Sequence, residues 1–311
     1  MKYTLAFTIY NKEKWVESIL DSWLENATNI NEIEVIIVFD DLKDNSKLIA
    51  ERCLSKYNIT SKFLYADDKH EIFCNNLALE NASGDYIIFI QDDNWIYDKN
   101  WDGILTDIFN DKKMKIGAVA LLAGAKILNF SFKSDILYSY YRALKFNLKS
   151  LLTKRNAYIK PELGFRYERL EIDRTSKKNN FSIHKIKSLP LGIWTIHHIT
   201  RPFCINRKLI LELGGLDKFF MPHMGDDVDL SYKLLQLGYL NIYIPFNLLN
   251  ISTVADSDKH GYLFVIHSRI ISELRKRYPE VIKHPNKYPI MKVRDLFLNS
   301  KNDSITISEN E

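Results

Sequence analysis

The sequence predicts an α/β protein whose mainly parallel sheet carries helices on both faces. Apolar, β-branched runs alternate with segments of helical periodicity through the first third of the chain. The runs are continuously apolar rather than alternating, which is typical of strands that are buried on both faces. The chain has 311 residues, of which 46% are hydrophobic and 26% charged, so it can bury one extended core.

Strands and helices alternate regularly over residues 1–122. The predicted strands are Tyr3–Tyr10, Glu34–Phe39, Lys62–Tyr65, Asp85–Ile90 and Ile116–Leu122. The predicted helices between them are Glu13–Glu25, Ser46–Tyr57, Ile72–Asn81 and Trp101–Asn110. In a parallel sheet of this kind ligands bind at the carboxyl ends of the strands, so the residues that follow each strand are candidates for function.

The regular alternation stops between residues 124 and 190. This range contains 15 Lys or Arg and 5 Asp or Glu, a net charge of +10, which leaves −6 for the rest of a chain whose total is +4. It is rich in aromatic residues, and residues 136–152 have a helical pattern. The segment suits an anionic membrane surface or the acceptor side of a site, and an ordinary solvated helical excursion explains it equally well. No nucleic-acid-binding motif accompanies the charge, so nucleic acid is not an expected partner.

Regular structure resumes near Trp194. The predicted elements are a strand Phe203–Asn206, helices Arg207–Leu213 and Asp229–Leu237, a strand Leu240–Ile244 and a helix Tyr262–Tyr278. We therefore divide the chain into a first half (1–123), a basic aromatic insert (124–190), a second half (191–298) and a flexible polar tail (299–311).

The first candidate site is the pair Asp92 and Asp93, which follows the predicted strand Asp85–Ile90. Carboxylate oxygens are the ligands that hard divalent cations prefer, and a Mg²⁺ ion bound to a diphosphate needs only one or two of them. Asp40 and Asp41 follow the second predicted strand in the same way. A solvated acidic turn is the alternative for either pair taken alone.

The second candidate site is the acidic cluster Asp226, Asp227 and Asp229, at the start of a predicted helix. Acidic residues in this position can simply cap the helix and complement its dipole. Three carboxylates within four residues exceed what capping requires, and their mutual repulsion should raise the pKa of at least one. A carboxylate with a raised pKa is suited to act as a general base.

Four motifs occur in a fixed order along the chain. They are TIYNKEKWVESILDSWL, EIEVIIVFDD, CNNLALENASGDYIIFIQDDN and FCINRKLILELGGLDKFFMPHMGDDVDLSYKLLQLGY. Their order and spacing resemble those of family 2 glycosyltransferases over about residues 1–122 and 200–246. The resemblance implies the Rossmann-like GT-A fold. It also implies transfer of a hexosyl or N-acetylhexosaminyl group from a nucleoside-diphosphate sugar, with a UDP-sugar favoured.

The resemblance assigns most of the candidate residues to the donor site. The implied nucleotide-sugar ligands are Thr8, Tyr10, Asp40, Asp41, Asn76, Asp92 and Asp93. Asp40 or Asp41 would accept a hydrogen bond from the base or the ribose, and Asp93 would bind a Mn²⁺ or Mg²⁺ ion directly. His260 takes the place where some GT-A enzymes supply a metal-binding histidine, although a surface turn beside Gly261 explains it equally well.

The same resemblance places the general base in the second acidic cluster. Asp227 matches the aspartate that deprotonates the acceptor hydroxyl, and Asp226 takes the position of the usual glutamate. This implies inversion at the anomeric carbon, with a glycan or a lipid-linked acceptor. The first and second halves would then be the nucleotide-sugar-binding half and the acceptor half of one GT-A domain.

Three departures from the family pattern leave an alternative open. Gln91 replaces the first aspartate of the metal motif, Asn75 replaces an arginine that could contact the nucleotide, and Asp226 replaces a glutamate. Gln91 and Asn75 are compatible with a degenerate GT-A protein that binds nucleotide or glycan without turnover, whereas the intact acidic set at Asp226 to Asp229 argues against it. A sugar-phosphate nucleotidyltransferase is less favoured, because the loop of residues 10–13 contains no glycine.

The cysteines and the apolar runs indicate the compartment. Cys53, Cys74 and Cys204 have no spacing that predicts a disulfide framework or a zinc site, which favours a reducing environment. The N-terminal residues have no secretory pattern, and no apolar run reaches the roughly 18 residues that span a bilayer. We therefore expect a cytoplasmic protein, with peripheral contact of the insert at the inner membrane face as one of the alternatives above.

Overall fold

The computed structural model describes residues 1–127, 167–172, 186–189, 191–221, 225–250, 266–299 and 304–308, together with eight helical residues between 137 and 151. The strands of the first half and the insert are β1 (Tyr3–Ile9), β2 (Ile33–Asp40), β3 (Thr60–Ala66), β4 (Tyr86–Gln91), β5 (Asn94–Ile96), β6 (Ile116–Ala120), β7 (Gly124–Ile127), β8 (Tyr167–Ile172) and β9 (Ile186–Leu189). Those that follow are β10 (Ile193–Ile196), β11 (His198–Ile199), β12 (Phe203–Asn206), β13 (Leu240–Tyr243), β14 (Leu248–Asn250), β15 (Lys292–Asn299) and β16 (Ser304–Ser308). The α-helices with full bounds are α1 (Val16–Glu25), α2 (Ser46–Leu54), α3 (His70–Asn81), α4 (Trp101–Phe109), α5 (Arg207–Glu212), α6 (Asp226–Gln236), α7 (Ile266–Arg277) and α8 (Pro279–Lys283).

The central sheet has ten strands, in the order β16-β15-β10-β13-β6-β12-β4-β1-β2-β3. Neighbouring strands are parallel throughout β3-β2-β1-β4 and between β6 and β13. Antiparallel pairing is introduced by β12, β10, β15 and β16. The predicted α/β fold with a large, mainly parallel central sheet is confirmed.

Helices cover both faces of this sheet. Leu5 and Phe7 of β1 pack into one core with side chains of α1, α2 and α4, whereas Ala6 packs into a second core with α3 and the helices of the second half. Because both faces are buried, successive positions along the strand must be apolar or hydrogen-bonded. This explains the continuous apolar runs of the sequence.

Strand β12 joins the two halves of the chain. It lies between β4 and β6 and is antiparallel to both, with Phe203 opposite Phe89 and Ala120. An antiparallel strand enters the sheet at the edge where its parallel neighbours end. Arg201 and Pro202, which directly precede β12, therefore reach the same edge as the residues that follow β4.

The described part of the basic insert contains strands as well as helical residues. Strands β7, β8 and β9 form a small sheet with β11 of the second half, in the order β11-β7-β8-β9. The backbone of Gly124–Ile127 pairs with His198–Ile199 and with Tyr167–Leu170, so strands are present beside the predicted helical part of the insert. The helical residues between 137 and 151 agree with the predicted helical pattern.

Part of the predicted tail (299–311) has regular structure. Ser304–Ser308 form β16, which pairs antiparallel with β15. Ile305 and Ile307 alternate with polar residues in this stretch, which is the pattern of a strand with one apolar face.

Two observations concern the predicted compartment. The three cysteines are buried and free, so they form no disulfide. In the part of the chain that the structure describes, no helix has the length and apolar character needed to cross a bilayer.

Candidate active site

The edge of the sheet where β1, β2 and β4 end gathers most of the predicted donor-site residues. Thr8 lies in β1, Asp40 ends β2, and Asp92 and Asp93 follow β4. The backbone N–H of Tyr10 donates to Oδ2 of Asp92 over 3.1 Å, which joins the turns after β1 and β4 directly. The parallel register of these strands causes the convergence, because their carboxyl ends fall at one edge.

Asp92 and Asp93 have little contact with solvent, and their pKa values are raised. Burial raises the pKa of Asp92 to about 7, and neighbouring carboxylates add to the shift. The positive charge of Lys12, whose Nζ lies 3.8 Å from Oδ2 of Asp92, acts to lower the pKa of Asp92. Burial likewise raises the pKa of Asp93 to about 6, and the carboxylate of Glu71 adds to that shift. Both carboxylates are therefore placed where a cation would stabilise their charge.

Two charged residues that the sequence analysis did not single out link the donor site to the second acidic cluster. Glu71 lies in the first turn of α3, and Arg201 directly precedes β12. Nε of Arg201 lies 3.2 Å from Oε1 of Glu71, and Nη2 of Arg201 pairs with Oδ2 of Asp226. Burial disfavours the positive charge of Arg201 and so acts to lower its pKa. The carboxylates of Asp226 and Glu71 outweigh this and raise the pKa of Arg201 above its usual value. A lone arginine before an apolar strand was the only sequence feature that could have pointed to this network.

Asp226 and Asp227 begin α6 but have different surroundings. Asp226 is 1% exposed and is held by Arg201. Asp227 is partly exposed, and its Oδ1 accepts a hydrogen bond from the N–H of Val228 over 2.8 Å. Partial burial raises the pKa of Asp227 to about 7. The negative charge of Asp226 raises this pKa further, whereas the positive charge of Arg201 lowers it. The cluster thus contains one buried carboxylate that is paired with Arg201 and one carboxylate on a partly exposed residue.

The third carboxylate of the cluster has a structural role. Oδ1 of Asp229 accepts hydrogen bonds from the hydroxyl of Tyr278 over 2.7 Å and from Nη1 of Arg277 over 3.1 Å. Nζ of Lys233 lies 3.6 Å from Oδ2 of Asp229. These contacts tie α6 to the end of α7, so packing and charge pairing account for Asp229.

The end of β2 presents a separate group of potential cation ligands. One ligand atom each of Asp40, Asp68 and His70 lies within 4.8 Å of the others, so this group could hold a cation. Oδ1 and Oδ2 of Asp40 accept hydrogen bonds from the backbone N–H groups of Lys69 and His70, each over 2.8 Å. Asp40 therefore shapes the turn that leads into α3. Asp41 follows it with φ of +50°.

Two adjacent asparagines of α3 have different partners. Nδ2 of Asn76 donates to the carbonyl oxygen of Leu216 over 2.8 Å, and Oδ1 of Asn76 accepts from the N–H of Leu216 over 2.9 Å. Oδ1 of Asn75 accepts from the hydroxyl of Thr8 over 3.2 Å, while Nδ2 of Asn75 is buried with no partner among the described residues. Asn76 thus connects the two halves of the chain, and its contact with a nucleotide stays a prediction.

The site as a whole has an excess of negative charge. Among the described residues, and apart from Asp40 and its neighbours at the end of β2, its carboxylates are those of Glu71, Asp92, Asp93, Asp226 and Asp227, and its cations are Lys12 and Arg201. Five negative and two positive groups, when all are ionised, leave a net charge of −3. An anionic diphosphate would be repelled from this edge unless a cation were bound with it. The carboxylate oxygens fit a hard divalent cation such as Mg²⁺ or Mn²⁺.

His260, predicted as a metal ligand, lies outside the described residues. The structure describes the chain up to Asn250, the last residue of β14. Strand β14 pairs with β5, where Asn250 is opposite Asn94, and the side chain of Asn250 hydrogen-bonds to Asp93. Asn250, the last described residue before His260 in the sequence, therefore lies beside the predicted metal ligand.

Comparison with known proteins shows what this chain is similar to. A family model described as Glycosyl transferase family 2 matches residues 4–167, just over half of the chain. Among curated proteins, poly(ribitol-phosphate) beta-N-acetylglucosaminyltransferase TarS of Staphylococcus aureus (strain Mu50 / ATCC 700699) is 28% identical over 96 residues. That alignment covers 31% of this chain and only 17% of TarS, so the chain corresponds to a small part of that relative.

Two solved structures have a similar fold at low sequence identity. Mannosyltransferase PcManGT from Pyrobaculum calidifontis, solved with GDP-Man and Mn²⁺, has a TM-score of 0.55 and 14% identity, covering 92% of this chain and 69% of that one. GalNAc-T7, solved with UDP, GalNAc and Mn²⁺, has a TM-score of 0.60 and 12% identity, covering 92% of this chain and 51% of that one. These similarities confirm the predicted GT-A fold.

Proposed function

The chain belongs to glycosyl transferase family 2, a family of nucleotide-sugar transferases, and we propose that it transfers a sugar with inversion to a hydroxyl group of a glycan or lipid-linked acceptor. The observation that carries the proposal is the gathering of five carboxylates and two cations at one edge of the sheet. One of these carboxylates belongs to Asp227, which is partly exposed, and another belongs to Asp93, which follows the strand at the centre of that edge.

The donor side is proposed to bind a nucleoside diphosphate together with Mn²⁺ or Mg²⁺. Asp93 would hold the ion, with His260 as a further proposed ligand. When bound, such an ion neutralises charge that develops on the leaving diphosphate. Thr8, Tyr10 and Asp41 are proposed to line the pocket for the base and ribose; their positions at the ends of β1 and β2 support this.

The acceptor side is proposed to use Asp227 as general base. Its pKa of about 7 leaves a large fraction of Asp227 unprotonated at neutral pH and still able to take a proton from a hydroxyl group. Asp226, fixed by Arg201, keeps a second negative charge beside it. The acceptor oxygen would attack the anomeric carbon on the face opposite the diphosphate and pass its proton to Asp227, while the bond from that carbon to the diphosphate oxygen breaks and the nucleoside diphosphate leaves with the electron pair.

The class of donor and acceptor is proposed from the sequence relative. TarS is named a beta-N-acetylglucosaminyltransferase of poly(ribitol-phosphate), which supports an N-acetylhexosaminyl or hexosyl donor, a polymeric acceptor and a role in polysaccharide biosynthesis. A UDP-sugar is the favoured donor.

The test combines binding and turnover. We expect one class of nucleotide sugar, among UDP, GDP, CDP and dTDP sugars, to raise the melting temperature only when Mn²⁺ or Mg²⁺ is present. Asp93→Asn should abolish that metal-dependent stabilisation. Asp227→Asn should keep it and lose turnover by more than about a hundredfold, because the base is removed and the donor site is not.

Asp107→Asn is the matched control, since Asp107 is exposed on α4. It should leave both binding and turnover unchanged. Near-normal turnover of Asp227→Asn would exclude Asp227 as the base. Metal-dependent binding by a wild-type protein that neither transfers nor hydrolyses any donor would favour the degenerate, non-catalytic alternative.

A further inference from the structure

The described helical residues between 137 and 151 expose a row of large apolar side chains, here named the apolar stripe. Its members are Leu137, Tyr140, Tyr141, Leu144, Leu148 and Leu151. Each is between 54% and 80% exposed, although side chains of this size are usually buried in globular proteins.

The spacing of these residues places them on one side of the helix. A helix turns by about 100° per residue, and at that rate all six positions fall within an arc of roughly 100°. An arc of this width is what a helix normally turns towards the core of its own protein. Here it is directed to solvent, and contiguous apolar surface of this kind marks an interaction site.

The charge beside the apolar stripe indicates its partner. Lys145 is exposed on the same helical segment, and in the sequence Arg142 precedes it by three residues and Lys149 follows it by four. Residues 124–190 as a whole have a net charge of +10, from 15 basic and 5 acidic residues. Pairing of this segment with the same segment of a second copy would bring two such charges together, which electrostatic repulsion opposes.

An amphipathic helix with leucines and aromatic residues on one face and basic residues on its flank has the properties of helices that lie in the interface of an anionic bilayer. The leucines would enter the acyl region and the tyrosines would lie at headgroup level. Lysine and arginine would pair with anionic headgroups. We propose that the apolar stripe docks the protein on an anionic membrane surface. This inference goes beyond the proposed transfer reaction and does not depend on it.

The test is flotation of the full chain with lipid vesicles. We expect the protein to float with vesicles of phosphatidylcholine and phosphatidylglycerol and not with phosphatidylcholine alone, and the binding should weaken as salt is raised. The double variant Leu144→Ser, Leu148→Ser should bind the anionic vesicles at least roughly tenfold more weakly, because two leucines no longer enter the bilayer. Both residues are exposed, so the fold should be unaffected.

Leu48→Ser is the matched control, because Leu48 is 66% exposed on α2, outside the apolar stripe. It should bind the vesicles like the wild-type protein. The proposal is overturned if the wild-type protein fails to float with anionic vesicles at low salt, or if the double variant floats equally well. It is also overturned if the wild-type protein is a dimer that the double variant converts to a monomer, since a second copy would then cover the apolar stripe. Metal-dependent donor binding, measured on the same proteins, tests the proposed reaction separately. Failure of membrane docking can therefore be told apart from failure of the proposed reaction.

Discussion

At the residue scale, Arg201 gives the two adjacent aspartates of α6 different chemistry. It pairs with Asp226 and also contacts Glu71, so the charge of Asp226 is compensated inside the protein. Asp227 is partly exposed and has a pKa of about 7. A general base must be unprotonated and still basic, and a pKa near the working pH is the best compromise between the two. This favours Asp227 over Asp226 as the base of the proposed reaction.

We expect the variant Asp226→Asn to remain active and to reach full activity at lower pH. In the wild-type protein kcat should rise with pH through about 7, as Asp227 loses its proton. The charge of Asp226 raises the pKa of Asp227, so its removal lowers that pKa and moves the rise down by roughly one pH unit. Steady-state pH profiles of both proteins measure the shift.

Asp226→Asn would behave differently if Asp226 were the base. The variant would then lose activity at every pH while its metal-dependent donor binding stayed normal. Asp217→Asn is a suitable control, since Asp217 pairs with Arg277 away from this pair. It should leave the position of the pH profile unchanged.

The order of motifs predicts where the aspartates of the site lie, but neither Glu71 nor Arg201. An acidic residue in a first helical turn is ordinary, because it complements the helix dipole. An arginine before a strand is equally ordinary. Their contact depends on β12 lying antiparallel beside β4, which brings the start of one strand to the end of the other. Long-range ion pairs of this kind have no local sequence pattern.

At the scale of elements, the apolar runs predict type and position well. The predicted strand Glu34–Phe39 is observed as Ile33–Asp40, and the described part of the predicted helix Tyr262–Tyr278 is helical over Ile266–Arg277. The direction of β12 is not predictable, because a short apolar run looks the same in parallel and antiparallel pairing. Strands β5 and β14, with three residues each, are too short to show a period.

Glu34 is a buried carboxylate inside β2, within a run that otherwise looks purely apolar. Its Oε2 accepts hydrogen bonds from the hydroxyl of Thr4 over 2.7 Å and from the N–H of Ser83 over 2.8 Å. Its Oε1 lies 2.9 Å from Nζ of Lys62. Burial opposes ionisation, but the bonds from Ser83, Lys62 and Thr4 lower the pKa of Glu34 to about 2. One side chain therefore connects β1, β2, β3 and the turn before β4.

We expect Glu34→Gln to destabilise the protein by up to about 3 kcal/mol at neutral pH, the equivalent of lowering a pKa from 4.5 to about 2. The folded pKa lies below the unfolded one, so the contribution is complete above pH 4.5 and is lost as the pH falls towards about 2. Urea unfolding at neutral and acidic pH should therefore show a difference between the two proteins that shrinks over this range.

Glu51→Gln provides the control for this measurement. Glu51 forms an exposed pair with Lys47 on α2, with Nζ and Oε1 3.6 Å apart, and exposed pairs of this kind add little to stability. A pH-independent cost for Glu34→Gln would show that the charge of Glu34 is not what stabilises the sheet.

At the scale of the whole molecule, the two halves of the chain share one sheet and one set of contacts. Strand β12 of the second half lies between β4 and β6 of the first. Asn76 of α3 holds the backbone of Leu216 through two hydrogen bonds. Gly215 has φ of +76°, and a Cβ at this position would lie 2.7 Å from Oδ1 of Asn76, so the close approach requires glycine. The division into halves that the motifs predict is therefore not a division into independent folding units.

We expect Asn76→Ala to lower the stability of both halves together. The substitution removes two hydrogen bonds and leaves the buried N–H and carbonyl of Leu216 unsatisfied, at a cost of about 2 to 3 kcal/mol. Four of the five tryptophans, Trp15, Trp23, Trp95 and Trp101, lie in the first half, so tryptophan fluorescence reports mainly on that half. Far-UV circular dichroism reports on the whole chain. In urea, the two unfolding curves should coincide and move together to a lower midpoint.

Asn81→Ala is the matched control for this variant, because Asn81 lies at the exposed end of the same helix and its side chain donates to the carbonyl of Leu77, one turn earlier in that helix. It should move the midpoint far less. Curves that separate in Asn76→Ala, with fluorescence unchanged and circular dichroism shifted, would contradict the shared core. They would mean that the first half keeps its fold when its contact with Leu216 is lost, and that β12 is not essential to the strands on either side of it.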